Sequence, residues 1–437
     1  GYYLNQMMAT INQGETIFTY RGYLGMSGMN DGHISSLGNG QKLPYAVILT
    51  CATGSFWSDT NCRSEAFLRA SNGGGIASIG TATTGTHTRY NNCMFLGIMN
   101  GVLNSDEHRV GPSLTRGKLN LYNNYWDNEW QNVWVWSTWN NLMGDPATEI
   151  FTGVPAEIAV DYPNAVAQGA NALPVTVTDG GVPVAGARVA AYQSGTVSSF
   201  AYTDATGQAV LDIAGATGGD LQVTVTGTNL LPHLGTTAVG AVFRSLDFTS
   251  LDVQDVIGNG DGFANPGETA DLQVALTNHG TNTVVGATAT IDTDTSWLTL
   301  LDDEATYGDV APGATVTRTF QVRLEAAAAG GETVPLRLDA VAGGEQWTSL
   351  VDLLVHGARA NINRAAFGGP DGDLDPGESG SLTFDLANVG NRATSGVAAT
   401  LSCNSQWVTV TDASGAWGPI SVGGAVAQSD PFAIAVA

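Results

Sequence analysis

Three short motifs recur in the C-terminal half of this chain at one fixed offset. Asn265-Pro-Gly-Glu268 returns as Asp375-Pro-Gly-Glu378, Thr277-Asn-His-Gly280 as Ala387-Asn-Val-Gly390, and Trp297-Leu-Thr-Leu300 as Trp407-Val-Thr-Val410. The offset is 110 residues each time. Solenoid units repeat at about 20–50 residues, whereas about 100 residues make one β-sandwich. Residues 246–356 and 357–437 are therefore expected to be two copies of one sandwich. The second stops about 30 residues short of a full period, so its last strands are expected to be missing, cleaved away or supplied by a partner chain, a route to self-association by strand addition. The chain also opens on Gly1-Tyr-Tyr in mid-domain style, so both ends read as truncated.

Residues 154–245 alternate apolar and polar positions in short runs, as in Pro174-Val-Thr-Val-Thr178 and Leu221-Gln-Val-Thr-Val-Thr226, with turns at Gly180-Gly181 and Ala205-Thr-Gly207. That pattern predicts strands buried on one face. Pro183-Val-Ala-Gly-Ala-Arg-Val189 followed by Thr203-Asp-Ala-Thr-Gly-Gln-Ala-Val-Leu211 resembles the immunoglobulin-like modules of secreted proteins.

Residues 1–153 read differently. Ala46–Thr50 and Gly75–Gly80 are nearly continuous apolar runs, as parallel strands buried on both faces are; Thr16–Tyr20 is a third candidate. Helices are expected over 61–70 and 91–103. The segment Tyr122 to Trp139 holds Trp126, Trp130, Trp134, Trp136 and Trp139; spacings of four put the first three on one helical face, and a packed aromatic core is preferred to a ligand platform. The fold class is thus multidomain: an α/β domain, then three all-β sandwiches, the last incomplete.

The formal charge is −24, and it is uneven. Residues 1–153 hold eight Lys+Arg against ten Asp+Glu, and residues 154–437 hold eight against thirty. Such a field repels nucleic acid and anionic membranes. No stretch reaches the roughly 20 apolar residues of a membrane span. The four cysteines (51, 62, 93, 403) are too few for a disulfide framework, although a Cys62–Cys93 pair stays open.

Cys51 ends the run Tyr45-Ala-Val-Ile-Leu-Thr50 and turns at once into Ala52-Thr-Gly-Ser-Phe56. A thiol at the carboxyl edge of a parallel sheet stands where open α/β folds place their chemistry. Ile17-Phe-Thr-Tyr-Arg-Gly-Tyr-Leu-Gly25, Leu49-Thr-Cys-Ala-Thr-Gly-Ser-Phe56, Ser64-Glu-Ala-Phe67, Gly74-Gly-Ile-Ala-Ser-Ile-Gly80 and Leu142-Met-Gly-Asp-Pro146 together resemble the gingipain-type cysteine peptidases of the caspase-like clan. The resemblance covers about residues 1–153, the later part of such a catalytic domain. It implies a partial caspase-like fold, Cys51 as nucleophile, protein or peptide substrates, the Cys51 and Leu24 N–H groups as oxyanion donors, and a location outside or on the surface of a bacterium. The family's catalytic histidine falls on Tyr23, a poor base at neutral pH. His33 and His87 are the candidate replacements. The resulting expectation is a secreted or cell-surface cysteine endopeptidase, impaired to the extent that Tyr23 is not replaced. The alternative is a degenerate peptidase fold kept as a structural, adhesive or filament subunit. A carbohydrate-binding surface protein using its tryptophans is a further reading.

The repeat also carries acidic loops. Asp255, Asn259, Asp261, Asn265 and Glu268 lie among glycines in the first copy, and Asp371, Asp373, Asp375 and Glu378 in the second. Closely spaced Asp/Asn with a terminal Glu supply the six to eight oxygens that Ca²⁺ takes. The Pro-Gly and the following strand pattern exclude the exiting helix of an EF-hand. The expected arrangement is a calcium staple between the first two strands of the sandwich.

Overall fold

The computed structural model describes residues 2–22, 26–57, 61–369, 372–373 and 375–437. In the first domain the order is α1 (Tyr2–Gln13), β1 (Ile17–Thr19), α2 (Asp31–Ser35), β2 (Tyr45–Ile48), α3 (Arg63–Arg69), β3 (Ala77–Thr81), α4 (Thr88–Asn104), α5 (Val110–Trp139) and β4 (Asn140–Met143). The sheet runs β1-β2-β3-β4, with β1, β2 and β3 parallel and β4 antiparallel to β3. Strand β2 is apolar on both faces because both faces are covered. Ala46 and Ile48 pack with Ile11, Ile34 and Phe67 from α1–α3, while Tyr45, Val47 and Leu49 pack with Met94, Ile98 and Leu121 from α4 and α5. The sheet is thus the middle layer of three.

The expected aromatic core holds for Trp136, which is buried, and for Trp139, which packs against it, but not for the other three tryptophans. Trp126, Trp130 and Trp134 do share a face of α5, but it is the solvent face: they are 45%, 54% and 65% exposed. The core side of the helix is already filled by Val110, Leu114 and Leu121. The helix then kinks at Glu129 (φ −141°, ψ 34°), whose carboxylate is held by Arg89 (2.6 Å), Asn132 (3.2 Å) and the Tyr90 hydroxyl. Beyond the kink Val133 and Trp136 take the buried positions.

The second domain has β5 (Ile158–Asp161), β6 (Ala165–Ala167), β7 (Ala172–Asp179), β8 (Val182–Pro183), β9 (Arg188–Gln193), β10 (Val197–Tyr202), β11 (Gln208–Asp212), β12 (Gly219–Thr226) and β13 (His233–Gly240). They form two facing sheets, β10-β9-β12-β13-β6 and β11-β7-β5 with β8 beside β7. The alternation holds: Leu221, Val223 and Val225 of β12 enter the core with Val175 and Val177 of β7.

The third domain has β14 (Asp247–Ile257), β15 (Thr269–Thr277), β16 (Val284–Asp292), β17 (Leu298–Asp302), β18 (Glu304–Val310), β19 (Thr315–Leu324), β20 (Thr333–Ala342) and β21 (Glu345–Leu354). Its sheets are β14-β15-β19-β17 and β18-β16-β20-β21. The fourth domain has β22 (Ala360–Gly368), β23 (Ser379–Asn388), β24 (Val397–Thr400), β25 (Val408–Asp412), β26 (Ser414–Trp417), β27 (Ala425–Val426) and β28 (Phe432–Val436). Its main sheet, β22-β23-β28-β25, repeats that of the third domain, with the β19 equivalent broken into β27 and β28. At the break the Gln428 side chain accepts from Phe384 N–H at 2.8 Å in place of a strand neighbour. The second sheet has β24 and β26 alone, and β20 and β21 have no counterpart among the described residues.

This difference has an energetic consequence. Among the described residues, the third domain gathers 26 buried residues into its core cluster, and the fourth gathers four: Leu386, Trp417, Ile420 and Phe432. Apolar burial is the main favourable term in folding, so the fourth sandwich opens first. Native-state hydrogen exchange is expected to show weaker protection in β23 than in β15, its equivalent one period earlier, with protease nicking confined to residues 360–437 at mild denaturant. Equal protection of the two strands would contradict this.

Candidate active site and acidic loop

Strand β2 ends at Ile48, three residues before the cysteine, because Thr50 N–H turns back to Ile48 O (2.9 Å). Cys51 therefore sits in the turn beyond the strand, half-buried. That turn is laced to β3 and the segment after it. Ala52 N–H donates to Thr83 O (2.8 Å), Gly54 N–H to Thr81 O (3.0 Å), and the Ser55 hydroxyl and Trp57 indole both to Ala82 O (3.1 Å each). Thr53 ties the two strands, its hydroxyl donating to Ile48 O (2.7 Å) and accepting from Thr81 N–H (3.1 Å). The layers meet without room for a side chain: a Cβ on Gly80 would lie 2.2 Å from Ser64 Oγ and 2.9 Å from Gly54 N. Ala52 takes the left-handed conformation (φ 57°), a strain that clusters at functional sites.

The loops after all three parallel strands open on one edge. Thr50 Oγ1 donates to Gly22 O (3.1 Å), which brings the loop after β1 to the cysteine turn. Arg21 reaches from the same loop to Asn92 Oδ1 (2.6 Å) on α4, and burial lowers its guanidinium pKa. Tyr23 and Leu24 lie outside the described residues. Cys51 Sγ lies 2.9 Å from Thr86 Oγ1 in the loop after β3. Cys51 N–H has no acceptor among the described residues.

Both candidate histidines are engaged elsewhere. His87 caps α4, its Nδ1 accepting from Arg89 N–H (3.2 Å), and its ring meets Tyr90 edge-on at 5.7 Å. His33 belongs to the capping box of α2, where Asn30 N–H donates to its Nδ1 (3.3 Å) and its own N–H donates to Asn30 Oδ1 (2.9 Å). A neutral imidazole that accepts at Nδ1 carries its proton on Nε2. Among the described residues neither ring bonds Cys51. Thr86 and Trp57 carry no sequence motif; the proximity of Thr86 to His87 was the one available signal. All four cysteines are free. Burial pushes the Cys62 thiol up to about 11 and raises that of Cys93.

The acidic loop 258–268 joins β14 to β15, the first two strands of the third sandwich. Oxygens of Asp255, Asp261 and Glu268 all lie within 4.8 Å of one another. Asp255 Oδ1 is buried without a hydrogen-bond partner. Gly258 permits the approach, since a Cβ there would lie 2.4 Å from Glu268 Cδ and 2.5 Å from Asp255 Oδ1. Asn265 donates its amide to Asp261 Oδ1 (3.1 Å) and Glu268 Oε2 (2.8 Å), so ligation through Oδ1 requires the amide turned over. Asn259 Oδ1 accepts from Asp261 N–H (2.9 Å). Burial would raise the Asp261 carboxyl, but hydrogen bonds from Asn265 and Phe263 N–H and the Arg392 charge outweigh it and hold the pKa below the ordinary value. Three crowded carboxylates and one orphan acceptor suit a hard cation. In the second copy Asp373 and Asp375 are exposed, Glu378 accepts from Asp375 N–H (3.2 Å), and Asp371 lies outside the described residues. One period beyond Asp255 stands Ala365, and beyond Asn259, Gly369, so that loop has fewer donors.

Residues 3–151 match the model of peptidase family C25. The first domain accordingly has a cysteine peptidase-like fold. Among solved structures, the chain is similar to the Arg-specific cysteine proteinase gingipain R at 22% identity and TM-score 0.43, over 54% of this chain and 55% of that one. It is similar to the complex of pro- and mature domains of RgpB from Porphyromonas gingivalis at 21% identity and TM-score 0.43, over 54% and 57%. The chain thus spans little more than half the length of these structures. No curated protein matches it.

The Gly54–Gly80 contact is testable. Gly80→Ala forces the cysteine turn away from β3 and is expected to cost about 1–3 kcal/mol, the usual range for overpacking. A lower urea midpoint for the first domain, with faster alkylation of Cys51, is the expected pair of readings. An unchanged midpoint would show that the layers can part freely.

Proposed function

We propose that the first domain is a gingipain-type cysteine endopeptidase domain, secreted or displayed on a bacterial surface, with Cys51 as nucleophile. The observation that carries this reading is the Cys51 thiol at the carboxyl edge of the parallel sheet, within the segment that the C25 model matches. The thiolate attacks a peptide carbonyl carbon, the carbonyl pair moves to oxygen, and Cys51 N–H donates to that oxyanion, joined by Leu24 N–H on the family pattern. His87 is the better-supported acid–base group, because its neighbour Thr86 already touches Sγ. Its ring must leave the α4 cap to take the thiol proton. Protein or peptide is the substrate class. The net charge of −24 argues against nucleic acid. No helix among the described residues is long and apolar enough to cross a membrane.

The three following domains are read as immunoglobulin-like sandwiches that present the enzyme, with Ca²⁺ held by Asp255, Asp261 and Glu268 and by Asn259 and Asn265 where their amide oxygens turn inward. The second loop, with Asp371, Asp373, Asp375 and Glu378, is the weaker site.

A second reading is favoured by one observation: Tyr23 stands at the family's histidine position, and His33 and His87 are both committed to helix caps. On that reading the peptidase fold survives as a structural or adhesive subunit.

Hydrolysis of a mixed peptide library separates the two. The endopeptidase reading expects cleavage that Cys51→Ala abolishes and that His87→Ala lowers by about 10²–10⁴, the usual share of a general acid–base. No cleavage by the native chain leaves the second reading standing. Calcium is tested separately by thermal melting after chelation. Ca²⁺ at 100 times its dissociation constant stabilises the third domain by about 2.7 kcal/mol, and Glu268→Gln with Asp255→Asn removes that gain. A melting curve indifferent to Ca²⁺ eliminates the metal.

A further inference from the structure

We infer that Thr86 is the positioning residue of the Cys51 nucleophile, its hydroxyl donating to the thiolate sulfur; the assignment rests on the peptidase reading above and deepens it. Thr86 Oγ1 lies 2.9 Å from Sγ, and both residues are half-buried. The hydroxyl is held from both sides. Upstream, residues 82 and 83 are bonded to the cysteine turn through Ala52, Ser55 and Trp57. Downstream, His87 is the N-cap of α4, a helix of 17 residues. Thr86 is thus anchored within three residues on the upstream side and at the next residue on the downstream side.

The chemistry gives this contact a direction. A thiol is a weak donor and a weak acceptor. A thiolate accepts only, and hydrogen bonds to ionised acceptors are about twice as strong as neutral ones. A hydroxyl fixed at the sulfur therefore favours ionisation and aims Sγ. Tyr23 supplies no base at neutral pH, so a contact that favours the thiolate matters more here than beside an ordinary histidine.

Site-resolved alkylation of the full chain with iodoacetamide, read by peptide mass spectrometry, tests the assignment. The thiolate sulfur bonds the methylene carbon, iodide leaves, and the thiol proton passes to buffer. Exposed Cys403 is the reference thiol on the same molecule, and Cys62 and Cys93 are buried. Thr86→Val is expected to slow Cys51 labelling about tenfold relative to Cys403 at neutral pH, the scale of one hydrogen bond to a charged group. It also moves the Cys51 pH–rate profile to higher pH without lowering the alkaline plateau, since a more basic thiolate is the better nucleophile, and Thr86→Ser restores the native profile. A changed plateau with an unmoved profile midpoint reports altered access and overturns the assignment. So does a Thr86→Val profile identical to the native one, or a failure of Thr86→Ser to restore it. Labelling needs no peptide cleavage. A chain that labels as expected but cleaves nothing loses the peptidase reading and keeps the Thr86 contact; a chain that cleaves but labels normally as Thr86→Val loses only the contact.

Discussion

The backbone approach of Gly54 to Gly80 is the constraint on which the first domain's site depends. With no side chain at either position, the turn after β2 folds flat against β3. Backbone hydrogen bonds from Ala52 and Gly54 then fix its register, and the Thr53 hydroxyl joins the ends of both strands. The sulfur of Cys51 has no choice of neighbour after that. It faces the segment that runs from β3 into α4, and Thr86 is the residue that segment presents. The left-handed Ala52 is the local cost: the turn must reverse directly after Cys51, and the lacing on both sides holds a conformation that costs an L-residue about 1–2 kcal/mol.

Much of this architecture is legible in the sequence, and the places where it is not have physical reasons. The offset of Trp297 and Trp407 predicts equivalent strands, and β17 and β25 begin one residue after each. The unbroken apolar run at Tyr45–Leu49 predicts a strand covered on both faces, and two separate clusters cover it. The tryptophans of α5 mislead because spacing reports which residues share a face, not which face is buried; Leu114 and Leu121 already occupy the core side. The helix α1 is legible too: Leu4, Met7, Met8 and Ile11 recur at the spacing of one helical face, and all four pack in the cluster on one side of the sheet. The cap roles of His87 at the N-cap and of His33 at N3 are invisible in composition, since histidine is neither a preferred N-cap residue nor the Glu or Gln usual at N3 of a capping box. Thr86 is marked in the sequence only by its neighbour His87, because its contact with Cys51 arises when two loops 35 residues apart meet.

The acidic loop shows the same principle at the other end of the chain. Asp261 faces two ways. One oxygen accepts from Phe263 N–H (3.0 Å) and Asn265 (3.1 Å) inside the loop, and the other pairs with Arg392 of the fourth domain. Arg392 in turn lies over the Phe263 ring at 5.1 Å, and Phe263 stacks on His356 at 4.1 Å. Arg359 and Glu332 form a second ion pair across the same junction. Surface pairs of this kind are worth little singly. Their weight lies in orientation: they fix the small fourth core against the large third one, at the loop whose carboxylates are most crowded.

The two histidines differ in what their caps demand. His33 is half-buried and reciprocally bonded to Asn30 through both its ring and its N–H. His87 is exposed and gives its cap a single ring contact. Loss of a cap costs about 1 kcal/mol. A general acid–base worth 10²–10⁴ in rate corresponds to about 3–5 kcal/mol in the transition state. The gain exceeds the loss several-fold, so under the proposed peptidase reading the capping role of His87 does not count against it as the acid–base group. For His33 release of the ring breaks half of a two-bond box and uncovers a partly buried ring, which makes His87 the histidine with less to lose.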